Sequence, residues 1–320
     1  MLINADKPHL WKADTRASVD QFNQWFVKFA PRAYRETRKA TVKSVENGLL
    51  LTRNLTAITP AILKAHPDIL PMLRMSTCPP LARDRLIGLA DSTKNLVGSL
   101  EEGKVPPRIT PAVLQEHLER IANTLSAMRD TDIFPWIEEK RQPTEEERYR
   151  SSTIVADRLC GAVADPIVRN AQEKRQLTLI EQYLTERGYT RKEHLSGVPI
   201  TEMEPGTFAF RMNVFVTPSP HDTKTVKIPI DAVIQPRNAA LPHLPVLIEA
   251  KSAGDFTNVN KRRKEEATKM AQLKATFKGN VVFVLFLCGY FDAPYLGYEA
   301  SEGIDWVWEH RIGDLSKLGI

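Results

Sequence analysis

The first half of the chain has hydrophobic residues at helical spacing, interrupted by prolines. Ser18 is a candidate N-cap for the first helix, and Pro31 is expected to kink or end it. In the stretch RITPAVLQEHLERIANTLSAMRD, Thr110 is predicted to cap a helix that begins at the following proline. A later helical stretch has Pro166 at a predicted junction and Gly188 as its predicted end. The first half of the chain is therefore expected to be largely helical.

After Gly188 the pattern changes to that of strands. TFAFRMNVFVTP and KTVKIPIDAVIQP alternate, LPVLIEAKS is mostly apolar, and VVFVLFLCG is fully apolar. A basic helix, NVNKRRKEEATKMAQLKATF, separates the last two. This order predicts an α/β fold in which helices flank a mixed β-sheet. The charged segment EEKRQPTEEERYRSS favours a boundary between a helical domain of residues 1–145 and a second domain of residues 146–320.

Composition narrows the class of protein only a little. The 320 residues include 44 Lys and Arg against 39 Asp and Glu, a net charge of +5 that is compatible with nucleic acid binding without demonstrating it. Three cysteines without a CxxC pair predict free thiols in a reducing cytosol. The chain starts without a signal-peptide pattern, and its longest apolar run is too short to span a membrane. We therefore expect a cytoplasmic protein with no membrane partner.

Glu249 and Lys251 extend an apolar strand with two charges, which is costly unless they are paired or bind a metal ion. Two residues apart, they point to the same side of the sheet. Asp231 lies on the preceding strand, and pairing of the two strands would bring its carboxylate close to that of Glu249. Because two such carboxylates repel, we expect a divalent cation, Mg²⁺, between them. Lys251 would then orient or deprotonate the attacking water, or stabilise charge on a phosphorane.

The acid-x-Lys spacing is weak evidence by itself, because three other segments share it. A turn, a charged linker and a polar loop contain these segments, which are Glu102 to Lys104, Glu138 to Lys140 and Asp222 to Lys224. Only Glu249 and Lys251 follow an apolar strand that has an acidic residue on its neighbour. A structural ion pair at a strand end is the alternative interpretation.

Longer stretches carry a resemblance to a known family. TIVADRLCGAVADPIVRNAQEKRQ, EAKSAGDFTNVNKRRKEEATK and GYFDAPYLGYEASEGIDWVWEHRI resemble the XamI family of type II restriction endonucleases. An Asp followed by Glu-x-Lys on the next strand also resembles the core of PD-(D/E)XK nucleases. By position, Asp231, Glu249 and Lys251 match that catalytic motif, with the two acids as metal ligands. One departure is that Asp231 follows Pro229 by two places rather than one.

The resemblance implies a Mg²⁺-dependent enzyme that cuts both strands of DNA at a short palindrome. In-line attack by water would leave a 5′-phosphate and a 3′-hydroxyl, and a palindromic target implies a two-fold homodimer. On the helix before the strands, Glu173 could supply a third carboxylate, as in some nucleases of this class. The alternative for Glu173 is an ordinary ion pair with Arg169 or Arg175.

Basic segments supply candidate contacts to double-stranded DNA. Residues 261–278 contain seven Lys or Arg against two Glu, and residues 28–43 are also strongly basic. Solvated helical faces are the alternative reading of both segments. The polar segment SAGDFTNVN adds Ser252, Asn258 and Asn260, for which a capped loop before the basic helix is the alternative. The basic candidates are Lys261, Arg262, Arg263 and Lys264, together with Arg35, Arg38 and Lys39 nearer the start of the chain.

Three functions compete at this point. A site-specific endonuclease is favoured, a structure-selective or repair nuclease shares the same core, and a DNA-binding protein without catalytic activity requires only that the charges pair. GxxxxGK[ST] does not occur, so no nucleotide cofactor is expected. The histidines form no HxH or HExxH pair, which argues against a histidine metal site. Trp306 and Trp308 alternate as strand residues do, which favours a core or dimer role over base stacking.

Overall fold

The computed structural model of the chain describes residues 2–193, 199–218, 225–254, 259–278 and 281–320, without the side chains of 162–165, 167 and 259–262. The chain divides into two compact units. One consists of Met1–Phe29 with Val168–Ile320, and the other of Ala30–Ile167. These bounds differ from the boundary expected near residue 145, because the chain enters and leaves the unit of Ala30–Ile167 within long helices.

Helices account for most of the first half of the chain and flank the strands in the second half. Their bounds are α1 (Pro8–Leu51), α2 (Pro60–Ala65), α3 (Leu70–Met75), α4 (Arg83–Leu89), α5 (Lys94–Glu101), α6 (Pro111–Ala127), α7 (Glu145–Glu186), α8 (Val259–Phe277) and α9 (Ala293–Ser301). Among the described residues, none of these helices combines the length and the hydrophobicity that a membrane span requires.

The start of α6 confirms one prediction, whereas the start of α1 corrects another. Thr110 caps α6 by accepting a hydrogen bond from the N–H of Val113, with a proline at the first position. The prediction that Ser18 caps a helix was wrong, because α1 already begins at Pro8. Ser18 is buried inside α1, and its hydroxyl accepts a hydrogen bond of 2.8 Å from the N–H of Gly289.

The two helical prolines coincide with the division of the chain rather than with helix ends. Pro31 lies inside α1 and Pro166 inside α7, so neither proline ends a helix, whereas a kink was the other expectation for Pro31. A proline inside a helix removes one backbone hydrogen bond and usually bends the helix. Each proline lies within two residues of a boundary between the compact units.

The unit of Ala30–Ile167 has its own hydrophobic core. Its fully buried side chains include Leu118, Phe134 and Trp136, and the rings of the last two pack edge to face with centroids 5.4 Å apart. Apolar side chains from the helices that surround these rings complete one contiguous cluster. This unit therefore has the core that an independent domain requires.

The other unit contains a six-stranded mixed sheet in which the strands follow one another in chain order. The strands are β1 (Thr190–Arg191), β2 (Thr207–Val216), β3 (Val226–Ile234), β4 (Val246–Ala253), β5 (Phe283–Gly289) and β6 (Asp305–Trp308). Strands β2, β3 and β4 pair antiparallel, whereas β5 runs parallel to both β4 and β6. The predicted mixed α/β arrangement is confirmed.

Both faces of the sheet are covered by apolar side chains. On one face, Met270 and Leu273 of α8 and Leu296 of α9 pack in a cluster with Trp306 and Trp308. On the other face, residues from the end of α7 and from the last part of the chain form a second cluster. Both tryptophans are fully buried in β6, which agrees with the predicted core role.

The beginning of the chain is held by the last strand of the sheet. The carboxylate of Asp305 accepts hydrogen bonds from the backbone N–H groups of Ile3, Asn4 and Ala5. The side-chain amide of Asn4 donates to the carbonyl of Trp306 at 2.9 Å. Residues 3–5 and β6, which are distant in sequence, therefore depend on each other for their polar partners.

Candidate active site

Asp231 and Glu249 lie side by side where β3 and β4 separate. The register pairs Ala232 with Ile248, so its next step sets Asp231 opposite Glu249. The Oδ2 atom of Asp231 accepts a hydrogen bond of 2.8 Å from the N–H of Ala250. Antiparallel pairing thus brings two acids from different strands to one point of the sheet.

Two lysine amines approach the same oxygen of Glu249. Lys251, two positions further along β4, has its Nζ 3.1 Å from Glu249 Oε1 and 3.5 Å from Glu266 Oε1. Lys269 of α8 has its Nζ 2.7 Å from Glu249 Oε1 and donates a hydrogen bond of 3.0 Å to the carbonyl of Pro229. Two positive charges therefore compensate a carboxylate that is almost completely buried.

The electrostatics of the site follow from burial and from these neighbours. Burial, and then the negative charge of Glu249, raise the pKa of Asp231 to about 6. Burial by itself would lower the pKa of Lys251, but the Glu249 and Glu266 carboxylates outweigh it and raise that pKa above its ordinary value. Lys251 is therefore a cation at neutral pH, and the two carboxylates would be relieved by a further positive charge.

The donor atoms fit a magnesium ion. Both lysines bind Oε1 of Glu249, while its Oε2 is buried and has no hydrogen-bond partner among the described residues. A buried polar atom without a partner is costly, and a cation would supply one. No cluster of three or more His, Cys, Asp or Glu that could hold a metal ion occurs in the described part of the chain. Mg²⁺ needs no more than one or two carboxylates, because water and phosphate oxygens complete its coordination.

Glu173 on α7 is close to this site but has its own partner. Its Oε1 accepts hydrogen bonds of 3.1 and 2.9 Å from the guanidinium of Arg211. The alternative weighed from the sequence was an ion pair with Arg169 or Arg175, and the partner observed here is a different arginine. Glu173 contributes to the raised pKa of Asp231, so its charge acts on the site.

Arg211 is a conformational exception in the middle of a strand. The pairing of β2 with β3 skips Arg211, whose register position is beside Asp231. Its φ of 53° lies in the left-handed region, which costs a residue with a Cβ about 1–2 kcal/mol. The register is the same on both sides of Arg211, so one residue of each strand is left unpaired there and no residue is inserted. The guanidinium of Arg211 is directed towards Glu173.

The candidate DNA contacts after Lys251 have different surroundings. Ser252 is half-buried, Arg263 packs over the ring of Tyr298 at 4.8 Å, and Lys264 is exposed. Asn258 lies outside the described residues, and α8 includes three further candidates whose side chains are outside the description, Asn260, Lys261 and Arg262. Among those described, Lys264 has the exposure that a phosphate contact needs.

The basic candidates on α1 belong to the unit of Ala30–Ile167. Arg35 and Lys39 are exposed, whereas Arg38 forms an ion pair of 2.9 Å with Asp157. The hydroxyl of Tyr34 also lies 3.3 Å from the Asp157 carboxylate. Arg35 and Lys39 therefore present their charges to solvent, while that of Arg38 is partly compensated.

Sequence reasoning missed two charged residues of the site, Glu266 and Lys269. Both lie on α8, which was interpreted as a basic face that follows DNA phosphates. Their spacing of three places them on one side of the helix, together with the buried Met270 and Leu273. That periodicity was the available signal, because charged residues on the apolar side of a helix need partners in the protein.

Comparison with known proteins identifies the family of the chain. The profile of the XamI restriction endonuclease family matches residues 53–308, which is most of the chain. The chain belongs to the XamI restriction endonuclease family. It is 54% identical over 318 residues to the type II restriction enzyme SalI of Streptomyces albus G, covering 99% of this chain and 100% of that enzyme. No solved structure matches it.

Membership of the XamI restriction endonuclease family confirms the resemblance seen in the sequence. The chain is an enzyme, a type II restriction endonuclease. A DNA-binding protein without catalytic activity is thereby set aside. The matched range of the family includes Asp231, Glu249 and Lys251.

Proposed function

We propose that this restriction endonuclease hydrolyses phosphodiester bonds of double-stranded DNA at Asp231, Glu249 and Lys251, with Mg²⁺ as cofactor. Cleavage occurs within a short palindrome and leaves a 5′-phosphate and a 3′-hydroxyl. The observation that carries the proposal is the meeting of the two carboxylates beside a lysine cation, with one buried carboxylate oxygen left without a partner in the described residues.

The order of elements supports a PD-(D/E)XK nuclease core. The last part of α7 precedes three antiparallel strands, β2 to β4, and α8 then leads to β5, which is parallel to β4. The motif residues lie on the two strands next to the crossover helix. Pro229 belongs to β3 two residues before Asp231, so the shifted spacing keeps both on that strand.

Each residue of the site has a role that follows from its surroundings. Asp231 and Glu249 would hold Mg²⁺, which when bound polarises the scissile phosphate and offsets its charge. Lys251 keeps its proton at neutral pH, so it acts as a hydrogen-bond donor to the phosphate or the attacking water rather than as a base. Glu173 would approach as a third acid only by leaving Arg211.

The DNA contacts and the assembly are part of the same proposal. Ser252, Asn258, Asn260, Lys261, Arg262, Arg263 and Lys264 follow the catalytic strand, and Arg35, Arg38 and Lys39 form a second basic group. A palindrome read by a two-fold homodimer puts one active site on each strand. We further propose that residues 1–145 chiefly contact DNA, that residues 146–320 cut it, and that the enzyme acts in the cytoplasm.

Cleavage of plasmid DNA tests this proposal. With Mg²⁺ the purified protein is expected to give discrete bands, and sequencing of the fragment ends identifies the target and the cut position. Asp231→Asn and Lys251→Ala are expected to leave the DNA intact. Lys104→Ala is the matched control, because its own acid-x-Lys pair with Glu102 is exposed, with a separation of 3.7 Å.

The outcomes separate the competing functions. A smear, or nicks confined to branched DNA, would favour a structure-selective nuclease. Discrete bands that persist in Asp231→Asn and Lys251→Ala would move the active site elsewhere in the chain. Cleavage that survives removal of divalent ions with a chelator would contradict the assigned cofactor.

A further inference from the structure

A buried pair of acids lies behind Lys251. Glu266 of α8 and Glu299 of α9 are both completely buried. Glu266 Oε1 lies 3.5 Å from Lys251 Nζ, and its Oε2 accepts a hydrogen bond of 2.9 Å from the hydroxyl of Tyr295. Glu299 lies beside Glu266, near enough to share a proton with it. Both carboxylate oxygens of Glu299 are buried without a partner among the hydrogen bonds of the described residues. Two buried acids at the end of an active-site lysine require a physical reason, because burial of acids is unfavourable.

One proton makes this pair stable. Two ionised carboxylates cannot hydrogen-bond to each other, so one of them must be protonated. Burial, and then the charge of Glu266, raise the pKa of Glu299 to about 9. Burial also raises the pKa of Glu266, but Lys251, Tyr295 and Glu299 all favour its charged form. Glu299 therefore holds the proton at neutral pH, and the negative charge stays on Glu266 beside Lys251.

Glu249 alone is a poor anchor for Lys251 during the reaction. A lysine side chain has several rotatable bonds, and fixing its amine needs more than one contact. Under the proposed function, Glu249 also binds Mg²⁺ through its other oxygen, and Lys269 already contacts Oε1, so Lys251 shares the charge of this carboxylate with two other cations. Glu266 is an anchor that the metal ion does not use, since it is enclosed by α8, α9 and Lys251.

We propose that Glu266 is a positioning residue for Lys251, and that Tyr295 and Glu299 hold Glu266 in place by donating hydrogen bonds to it. This inference rests on the proposed function, because it requires Lys251 to act at the scissile phosphate. A merely structural role for the pair, joining α8 to α9, predicts loss of stability without a specific loss of the cleavage step.

Single-turnover cleavage by the full chain at saturating Mg²⁺ distinguishes these roles. Glu266→Gln keeps the size of the side chain and removes its charge, so the cleavage rate is expected to fall about 10- to 100-fold. DNA affinity measured with Ca²⁺ in place of Mg²⁺ is expected to stay within about twofold, because Glu266 does not reach solvent. Glu302→Gln, at the exposed end of α9, is the control.

Two more variants test the hydrogen bonds to Glu266. Glu299→Leu removes the donor and should slow cleavage, whereas Glu299→Gln keeps a donor and should restore most of the rate. Tyr295→Phe removes one hydrogen bond to Glu266 and should slow cleavage about fivefold. Tyr295→Phe also decides the matter if Glu266→Gln does not fold, because a rate equal to that of the unmodified protein would then overturn the proposal.

The same experiments separate this inference from the proposed function. If Lys251→Ala still cleaves, the catalytic assignment fails and the inference fails with it. If Lys251→Ala is inactive while Glu266→Gln cleaves at the normal rate, only the positioning role is overturned. Equal defects in Glu299→Gln and Glu299→Leu would also overturn it, since they would show that the donor is irrelevant.

Discussion

Lys251 and Lys269 both contact one carboxylate oxygen, so either amine is a candidate for the catalytic lysine. Their Nζ atoms lie 3.1 and 2.7 Å from Glu249 Oε1, so distance alone does not select the catalytic one. Lys269 also donates to the carbonyl of Pro229, which uses part of its hydrogen-bonding capacity within the protein. Lys251 contacts only side-chain acids in the described contacts of its amine, so it has donors left for a phosphate.

Replacing each lysine by alanine is expected to give unequal losses. Lys251→Ala should lower the single-turnover cleavage rate about 100-fold or more, as removal of a donor to a developing charge does. Lys269→Ala should lower it only about tenfold, because Lys251 still compensates Glu249. Rates are measured at several Mg²⁺ concentrations, so that weaker metal binding is not mistaken for slower chemistry. The reverse order of the two losses would assign the catalytic amine to Lys269.

The proton on Glu299 gives the folded protein a distinctive pH dependence. Folding raises the pKa of Glu299 from 4.5 to about 9, so the folded state keeps a proton that the unfolded chain has lost at neutral pH. Its contribution to stability is complete below the unfolded pKa of 4.5 and is lost as the pH rises through the folded pKa of about 9. The loss is at most about 1.4 kcal/mol for each pH unit.

Glu299→Gln removes this dependence, because an amide does not titrate. We expect the melting temperature of Glu299→Gln, relative to that of the unmodified protein, to rise steadily between pH 5.5 and pH 8.5. Thermal unfolding followed by circular dichroism across this range measures the difference. Glu302→Gln should give no such trend, and a flat difference for Glu299→Gln would mean that Glu299 is ionised in the folded protein.

At the residue scale, the sequence predicts contacts within strands better than contacts between layers. Alternation in β4 is enough to put Glu249 and Lys251 on one face. In β3 the alternation changes face at Asp231, because Ile228 and Ile230 pack in one cluster and Ala232 and Ile234 in the other. The parts played by Glu266 and Lys269 depend on how α8 packs over this face of β4, and many helices have the same charge pattern without such contacts. The partner of Glu173 could not be predicted either, because Arg211 reaches it through an irregular strand.

At the scale of elements, the irregular point in β2 lies beside the proposed active site. Arg211 has a φ of 53° and its register position is next to Asp231. Unfavourable backbone conformations of this kind are kept where the surrounding structure requires them, and they are frequent at functional sites. The conformation of one residue therefore determines where an arginine and, through it, Glu173 lie.

Substitutions of Arg211 separate the free-energy cost of its left-handed backbone conformation from the effect of its ion pair with Glu173. Arg211→Gly and Arg211→Ala both release Glu173, but only glycine adopts the left-handed conformation without strain. Arg211→Gly should therefore melt about 1–3 °C above Arg211→Ala. Both are expected to change the Mg²⁺ dependence of cleavage equally. Equal melting temperatures would indicate that the left-handed conformation at this position relaxes when the arginine is removed.

Where the paired strands β4 and β5 end, the backbone leaves no space for a side chain at Gly289. Its φ is 102°, and an added Cβ would overlap the backbone carbonyl oxygen of Ala253, two residues beyond Lys251. Gly289→Ala must therefore displace the end of β4, which bears the proposed Glu249 and Lys251, and we expect loss of stability together with loss of cleavage. Gly313→Ala is the control, because an added Cβ there meets nothing within 4 Å. Normal cleavage by Gly289→Ala would contradict this.

Element types were predictable where local signals agree, and helix limits were not. Thr110 and the proline after it mark the start of α6 unambiguously. Ser18 has the same capping chemistry, yet it lies inside α1, where its hydroxyl is used by Gly289 from a distant strand. Pro31 and Pro166 show that a proline can be accommodated when tertiary structure supports the helix on both sides of it.

At the scale of the whole molecule, the central prediction is a dimer with one active site for each DNA strand. Mixing the unmodified protein with excess Lys251→Ala, followed by subunit exchange, should give dimers with a single working site. On a supercoiled plasmid with one target, these should accumulate nicked circles cut in one strand. If only linear product appears at a reduced rate, each active unit cuts both strands and the two-fold arrangement is wrong.

The division of the chain into units was beyond sequence reasoning for a specific reason. The charged segment around residue 145 has the composition of a linker, but it begins α7 and is followed by a continuous helix to Glu186. Met1–Phe29 has a helical pattern like that of the residues after it, yet it groups with the sheet. Contacts such as those of Ile3, Asn4 and Ser18 with β6 and the end of β5 reveal this membership.

The hydrogen bonds between residues 3–5 and Asp305 have a consequence for biosynthesis. Ala30–Ile167 is one uninterrupted segment, so it can become ordered while the ribosome is still translating the rest. The other unit cannot be complete so early, because the N–H groups of residues 3–5 pair with an acceptor on β6, which is made near the end of translation. We therefore expect a nascent chain that has already exposed Asp231 and Glu249 to be harmless to the DNA of its own cell until β6 emerges.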